Sequence, residues 1–185
     1  MKIKIITPYF GAFPPYFALF LRSCAINSEV EFHIFTDQSA LPLCPQNVVV
    51  HELPFSVLRA LMQKKLGLRD KALRVLTPYK LCDCKPAYGV IFEDHLQDAD
   101  FWGFCDVDLI FGRIFDLLSM EEVQKSERVL TQGHLTLYRN SPRMNRLFEQ
   151  PLAGGIAFRR AIEIAEPCFF DEIFMPAICR AQGVI

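Results

Sequence analysis

The chain has 185 residues, 51% of them hydrophobic and 17 of them Phe, which suffices for one domain with a buried core and excludes a disordered chain. The formal net charge is −1 and no basic tract is present, so no binding to nucleic acid or to anionic membranes is expected. The seven Cys are scattered through apolar segments, as a reducing compartment permits, and the apolar run 16–26 is too short to span a membrane. We therefore expect a single domain, 1–185, in a cytoplasmic protein without a transmembrane segment.

The predicted elements alternate between strands and helices along the chain. Short runs rich in β-branched and aromatic residues predict strands, which lie at 2–7, 31–37, 48–53, 101–107, 128–132 and 135–139. Apolar periodicity and proline-containing helix starts predict helices, which lie at about 16–27, at 55–66, and after Thr77-Pro78, Pro86 and Ser141-Pro142. This order favours an α/β domain with a mostly parallel central sheet flanked by helices.

The segment 101–112, FWGFCDVDLIFG, places two carboxylates in a strongly apolar part of the chain. On a strand, alternation of side chains would turn Asp106 and Asp108 to the same side, where two hard oxygen ligands suit Mg²⁺ or Mn²⁺. Thr7 and Asp37 also follow predicted strands, and ligands of such sheets gather beyond the carboxyl ends of the strands. Asp-x-Asp is a short pattern, however, and a solvated turn with an Asp cap is the alternative interpretation.

Several longer blocks resemble one family. KIKIITPYFGAFPPYFALFLRSCAIN, PYKLCDCKPAYGVIFEDHL, DFWGFCDVDLIFG and GHLTLYRN, between residue 2 and about residue 172, are similar to bacterial glycosyltransferases associated with capsular and other surface polysaccharide synthesis. More distantly, the layout resembles the GT-A fold of nucleotide-sugar-dependent transferases, in which an Asp-x-Asp motif binds a divalent ion and the sugar nucleotide. The resemblance implies a GT-A-like domain that transfers a sugar from a nucleoside diphosphate, a UDP-sugar by first choice, to a saccharide acceptor.

The resemblance also implies roles for individual residues. Asp106 and Asp108 match the motif and are expected to hold Mn²⁺ or Mg²⁺. Asp171 and Glu172 occupy the place of an acidic catalytic residue. Donor-binding roles are implied for Thr7, Pro8, Tyr9, Asp37, Lys80, Asp83, Lys85, Asp106, Gly133, His134 and Asn140.

Other interpretations of the same residues stay open. Lys80 and Asp83, three positions apart, could form a surface ion pair, and His134 could be a core histidine. His33 and His51 lie within predicted strands and are interpreted as structural, His95 as a surface residue and Trp102 as a core residue.

Two alternatives to an active transferase also stay open. Relatives of this fold generally continue further and supply another metal ligand downstream, so the chain could be a truncated nucleotide-sugar-binding relative without turnover. A phosphatase of the haloacid dehalogenase type also uses Asp-x-Asp at a strand end, but a Thr commonly follows the motif there, whereas Leu109 and Ile110 follow it here.

Overall fold

The computed structural model describes residues 1–39, 44–131 and 133–184 and contains a six-stranded sheet. The order of the strands across the sheet is β3-β2-β1-β4-β6-β5. The strands are β1 (Ile3–Pro8), β2 (Val30–Thr36), β3 (Val48–Glu52), β4 (Phe101–Cys105), β5 (Arg128–Val129) and β6 (Leu135–Arg139). The predicted strand at 128–132 is shortened to two residues, and its last position, 132, lies outside the described residues.

The sheet is mixed. Strand β1 pairs in parallel with β2 and β4, and β2 pairs in parallel with β3, whereas β6 runs antiparallel to both β4 and β5. The short connection between β5 and β6 accounts for their antiparallel pairing, because parallel neighbours need a long crossover. The α/β prediction is confirmed, and the antiparallel part of the sheet is a feature that the strand pattern did not predict.

Helices cover both faces of the sheet. The α-helices are α1 (Phe17–Ala25), α2 (Phe55–Leu66), α3 (Asp70–Val75), α4 (Tyr88–Ile91), α5 (Ile114–Leu117), α6 (Met120–Lys125), α7 (Pro142–Asn145), α8 (Phe158–Ala161) and α9 (Met175–Ala181). Shorter-pitch 3₁₀ segments occur at Tyr79–Ala87, Glu93–His95 and Leu147–Glu149, and a π-helical turn at Phe170–Phe174. No helix of the described ranges has the length and apolarity that crossing a membrane requires.

Local sequence signals explain several of these boundaries. Helix α2 has its predicted bounds and ends at Gly67, whose φ of 61° lies in the left-handed region that glycine tolerates. The Ser141 side chain caps α7 by accepting a hydrogen bond from the Met144 backbone N–H. The segment after Thr77-Pro78 is a 3₁₀ rather than an α-helix, and Pro86 inside it removes a backbone donor that a longer helix would need.

Alternating side chains divide the core into two layers. Ile3 and Ile5 of β1 pack with Phe20 of α1 on one face of the sheet. Ile6 and Trp102 belong to the larger layer on the opposite face, where Trp102 is fully buried as predicted. The larger layer includes residues of α2, α4 and the C-terminal helices, and the π-helical turn Phe170–Phe174 also packs into it.

Candidate functional site

The strand order reverses between β1 and β4, which marks the carboxyl ends of these strands as the place to look for a site. Strands β1, β2 and β3 follow one another outward, and the chain then crosses back so that β4 lies on the other side of β1. Ligands of open α/β sheets bind outside the carboxyl ends of the strands at such a reversal. Thr7 near the end of β1 and Cys105 at the end of β4 meet at this point, with Thr7 Oγ1 3.4 Å from Cys105 Sγ.

Lys85 is the centre of a polar cluster at this edge. Its Nζ lies 2.7 Å from Asp106 Oδ1 and 3.2 Å from Asp171 Oδ2, and it donates a hydrogen bond of 3.0 Å to the carbonyl of Gly133. The amine also lies 5.4 Å from the centre of the Phe104 ring. One buried cation therefore joins the end of β4, the loop before β6 and the π-helical turn near the C-terminus.

The charges in this cluster are unequally stabilised. Burial alone would lower the pKa of Lys85, but the charges of Asp171 and Asp106 outweigh it and raise that pKa, so the amine is protonated. Burial raises the pKa of Asp171 to about 6, although the charge of Lys85 opposes this shift. Lys85 shares its charge between two carboxylates, and the neighbouring Glu172 charge adds to the effect of burial, so desolvation dominates at Asp171.

The two aspartates of the Asp-x-Asp motif have different environments. Asp106 follows the last residue of β4, and its backbone N–H donates to the His134 carbonyl at 3.0 Å. Its second carboxylate oxygen lies 3.4 Å from His134 Nδ1. Asp108 is exposed in the following turn, and among the described residues none forms an ion pair or hydrogen bond with its carboxylate. Because β4 ends at Cys105, the alternation of side chains that was expected to turn Asp106 and Asp108 to the same side does not extend to these two residues.

Gly133 allows the acidic pair at 171–172 to approach the loop before β6. A Cβ atom added to Gly133 would lie 2.5 Å from Glu172 Cγ and 2.9 Å from Asp171 Oδ2. Asp171 lies on the π-helical turn, a rare geometry that is frequent at functional sites. The structure therefore brings together six of the predicted site residues, namely Lys85, Asp106, Gly133, His134, Asp171 and Glu172. His134 is exposed, so its interpretation as a core residue is wrong.

Lys80 and Asp83 form an ion pair that is buried rather than on the surface. Lys80 Nζ lies 2.6 Å from Asp83 Oδ2, and both side chains are at most 1% exposed. Asp83 also accepts hydrogen bonds from the backbone N–H groups of Cys168 (2.9 Å) and Phe170 (2.8 Å). The surface interpretation is therefore wrong, and the pair holds the chain that leads into Asp171.

The remaining predicted residues lie at two different places. Thr7 and Pro8 end β1 and Tyr9 follows it, with the Tyr9 ring stacked on Phe13 at 4.9 Å between centroids. Asp37 follows β2 and accepts a hydrogen bond of 2.9 Å from the Gly11 backbone. These four residues lie at the carboxyl ends of β1 and β2, where Thr7 is buried and Asp37 is exposed.

Asn140 lies at the opposite edge of the sheet. Because β6 is antiparallel to β4, its last residues meet the amino end of β4. The Asn140 amide group donates to the carbonyls of Leu96 (2.8 Å) and Ala99 (2.9 Å) and closes the turn that enters β4. The structure thus places Asn140 away from the other site residues.

The Phe104 ring beneath Lys85 is a part of the site that the sequence did not single out. Its position two residues before Asp106, on the same face as Trp102, is the signal that could have identified it.

A cavity of about 330 Å³ that includes Leu66, Phe148 and Phe158 contains none of the site residues. The site is accordingly a polar rim at the sheet edge.

The comparisons with known proteins identify a family. A family model described as "Family of unknown function (DUF6625)" matches residues 5–184, so the chain belongs to this family. Neither the curated proteins nor the solved structures provide a match to the chain.

Proposed function

We propose that this member of the DUF6625 family is a metal-dependent glycosyltransferase with a GT-A-like fold, which moves a sugar from a nucleoside diphosphate to a saccharide acceptor. The observation that carries the proposal is the ion pairing of Lys85 with both Asp106 and Asp171 at the carboxyl edge of the sheet. A cation and two carboxylates at this edge match what transfer of a sugar from a pyrophosphate requires. A role in surface polysaccharide synthesis and a cytoplasmic location are part of the proposal; the first derives from the resemblance and the second from the scattered cysteines.

The motif carboxylates fit a hard divalent cation. Asp108 offers a carboxylate with no protein partner among the described residues, and Asp106 lies two positions before it at the sheet edge. Oxygen ligands of this kind are those that Mg²⁺ and Mn²⁺ prefer. When bound, the ion would act as a Lewis acid on the pyrophosphate, whose negative charge grows as the glycosidic bond breaks.

Lys85 and the rim would position the donor. Three contacts hold the protonated Lys85 amine at the sheet edge, and a pyrophosphate oxygen would replace one of them when the donor binds, which would place the positive charge beside the departing group. Tyr9, stacked on Phe13, offers an aromatic surface for the nucleobase, and Pro8 and the exposed Asp37 lie at the ends of β1 and β2. In this arrangement Lys80 and Asp83 position the site without touching the donor.

Asp171 would act as the general base. Its pKa of about 6 means that the carboxylate is ionised at neutral pH and is still basic enough to accept a proton from an acceptor hydroxyl. The adjacent Glu172 is exposed beside Gly133 and adds a second acidic group at the acceptor side. Lys85 would keep the Asp171 carboxylate in place while the proton is transferred.

A thermal-shift panel of nucleotide sugars, with and without Mn²⁺, tests the proposal. At a ligand concentration about 100 times Kd, binding stabilises the fold by about 2.7 kcal/mol, which corresponds to a rise in Tm of roughly 5–10 °C for a chain of this size. We expect a Mn²⁺-dependent shift with UDP-sugars that Asp108→Ala abolishes. Asp116→Ala, which changes an exposed aspartate elsewhere, is the matched control and should retain the shift.

Turnover separates the transferase from its alternatives. Release of the nucleoside diphosphate in the presence of Mn²⁺ supports the enzyme, and binding without release supports a relative that only binds the donor. The absence of a shift with any nucleotide sugar would refute both.

A further inference from the structure

Three of the four histidines in the chain converge on one face of the sheet. His33 lies on β2, His51 on the neighbouring β3, and His95 ends the 3₁₀ segment Glu93–His95. His33 Nδ1 is 2.9 Å from His51 Nε2, and one ring nitrogen from each of the three residues lies within 4.8 Å of the others. The sequence predicts separate structural or surface roles for these residues, and the structure adds that they lie in one cluster.

We propose that His33, His51 and His95 form a binding site for a divalent transition-metal ion of the zinc class. The three residues supply only imidazole nitrogens, which suit Zn²⁺ and disfavour Mg²⁺ or Mn²⁺. The site is separate from the Lys85 cluster, because it lies on β2 and β3 whereas Asp106 follows β4, on the other side of β1. It does not depend on the proposed transferase function.

A carboxylate orients His33 for this role. His33 Nε2 lies 2.5 Å from Glu31 Oε1, and if the ring donates its N–H there, the lone pair of Nδ1 points toward His51. Metal-binding histidines characteristically donate their second N–H to a carboxylate in this way. Lys4 supports the arrangement, since its Nζ donates to the His95 carbonyl at 2.9 Å and pairs with Glu31 at 3.4 Å.

The imidazoles are available as neutral ligands. Burial lowers the pKa of His33 and of His95, and it lowers the pKa of His51 to about 4. A metal ion binds the neutral form of imidazole. At neutral pH these rings are already neutral, so the ion does not have to compete with a second ring proton. His51 would transfer its ring proton from Nε2 to Nδ1 through solvent, which frees Nε2 without a net release of protons.

The geometry requires a small closure around the ion. Zinc–nitrogen bonds are about 2.0–2.1 Å long, so ligand nitrogens that lie as far apart as 4.8 Å must move toward one another. His95 is the residue that can supply this movement, because it is half-buried and ends a three-residue turn. The cluster has three such ligands among the described residues, and water would complete a tetrahedral site. Binding would tie β2 and β3 to the turn that precedes β4.

Zinc titration of the chelator-treated full chain, in competition with a chromophoric chelator, tests the site. We expect one equivalent of Zn²⁺ to bind, His51→Gln and His95→Gln to weaken the affinity at least tenfold, and Glu31→Gln to weaken it about 10–100-fold. His134→Gln removes the remaining histidine of the chain, outside the cluster, and should leave the affinity unchanged. Circular dichroism establishes that each variant is folded before its titration is interpreted.

Cobalt substitution distinguishes the histidines from the seven cysteines, each of which carries a thiol rather than a disulfide. A site of three imidazoles gives d–d bands without a thiolate-to-cobalt charge-transfer band. The proposal is overturned if the wild-type chain binds no stoichiometric Zn²⁺, or if the Co²⁺ form shows a thiolate band. Unchanged affinity in His51→Gln and His95→Gln, or an equal loss in His134→Gln, would also overturn it.

Discussion

Replacing Asp83 with Ala removes the acceptor that organises the approach to the π-helical turn Phe170–Phe174. The Asp83 carboxylate is fully buried, lies 2.6 Å from Lys80 Nζ, and accepts hydrogen bonds from the backbone of Cys168 and Phe170. The substitution leaves the Lys80 ammonium buried, with a carbonyl contact from Glu166 but no anionic partner there. It also leaves two backbone N–H groups without their acceptor.

The expected loss of stability is large. Removing one partner of a buried ion pair costs about 3–5 kcal/mol, and the buried Phe170 N–H left unsatisfied adds about 1–3 kcal/mol, while the partly buried Cys168 N–H adds less. Domains of this kind unfold with a free energy of about 5–15 kcal/mol, so Asp83→Ala should be close to the limit of folding. The same change in a solvent-exposed pair would have little effect, because water screens the charges and solvates the groups that are left.

Urea unfolding measures this difference directly. Trp102 is the sole Trp and is fully buried, so its fluorescence reports the global transition. Asp116→Ala is the matched control, since Arg113 and Asp116 have the same i,i+3 spacing but are each more than 60% exposed. The control should unfold close to the wild-type midpoint.

A double variant separates the two contributions. Lys80→Met combined with Asp83→Ala removes the unpaired charge but leaves the Cys168 and Phe170 N–H groups without an acceptor. It should therefore recover part of the lost stability and not all of it. A loss below about 1 kcal/mol for Asp83→Ala would contradict the buried pair, because even a single unsatisfied N–H costs that much.

Three further predictions concern the Lys85 cluster, and those on turnover assume the proposed function. Turnover should rise with pH through about 6, as Asp171 ionises to act as a base, and Asp171→Asn should lower kcat by about 10²–10⁴-fold and remove this step. The raised pKa also means that the contribution of Asp171 to stability is present below its ordinary pKa of 3.8 and is lost by about pH 6, which urea midpoints of wild type and Asp171→Asn across this range would reveal. Gly133→Ala should lower kcat with little change in Tm, since the added Cβ displaces the flexible Glu172 side chain and moves Asp171; an unchanged kcat would contradict this.

Local patterns predicted the elements whose formation depends on neighbouring residues. Helix α2 and its end at Gly67, the Ser141 cap and the strands β1 to β4 follow from such patterns, although β4 ends two residues earlier than predicted. The direction of β6 depends on its pairing with β4, which no local pattern specifies. The same long-range pairing moved Asn140 to the far edge of the sheet.

The site was predicted as a set of residues and not as a set of contacts. Lys85, Asp106 and Asp171 come from distant segments, and the resemblance supplied them as separate candidates. The position of the Lys85 amine between the two carboxylates depends on the tertiary structure. The histidine cluster was missed for the same reason, because each histidine was interpreted within its own element, whereas the cluster depends on β2 and β3 being neighbours.

The contacts of Asp106 have a consequence for the order of binding under the proposed function. Its carboxylate is already paired with Lys85. A divalent ion that binds Asp106 and Asp108 in the absence of a donor must therefore compete with Lys85 for the Asp106 carboxylate. A donor pyrophosphate would bring new anionic oxygens to Lys85 and to the ion at the same time. Ion and donor should therefore each strengthen the binding of the other, by the same factor in both directions. In the thermal-shift panel, Mn²⁺ alone should accordingly give a smaller shift than Mn²⁺ and donor together, even where Asp108 is intact.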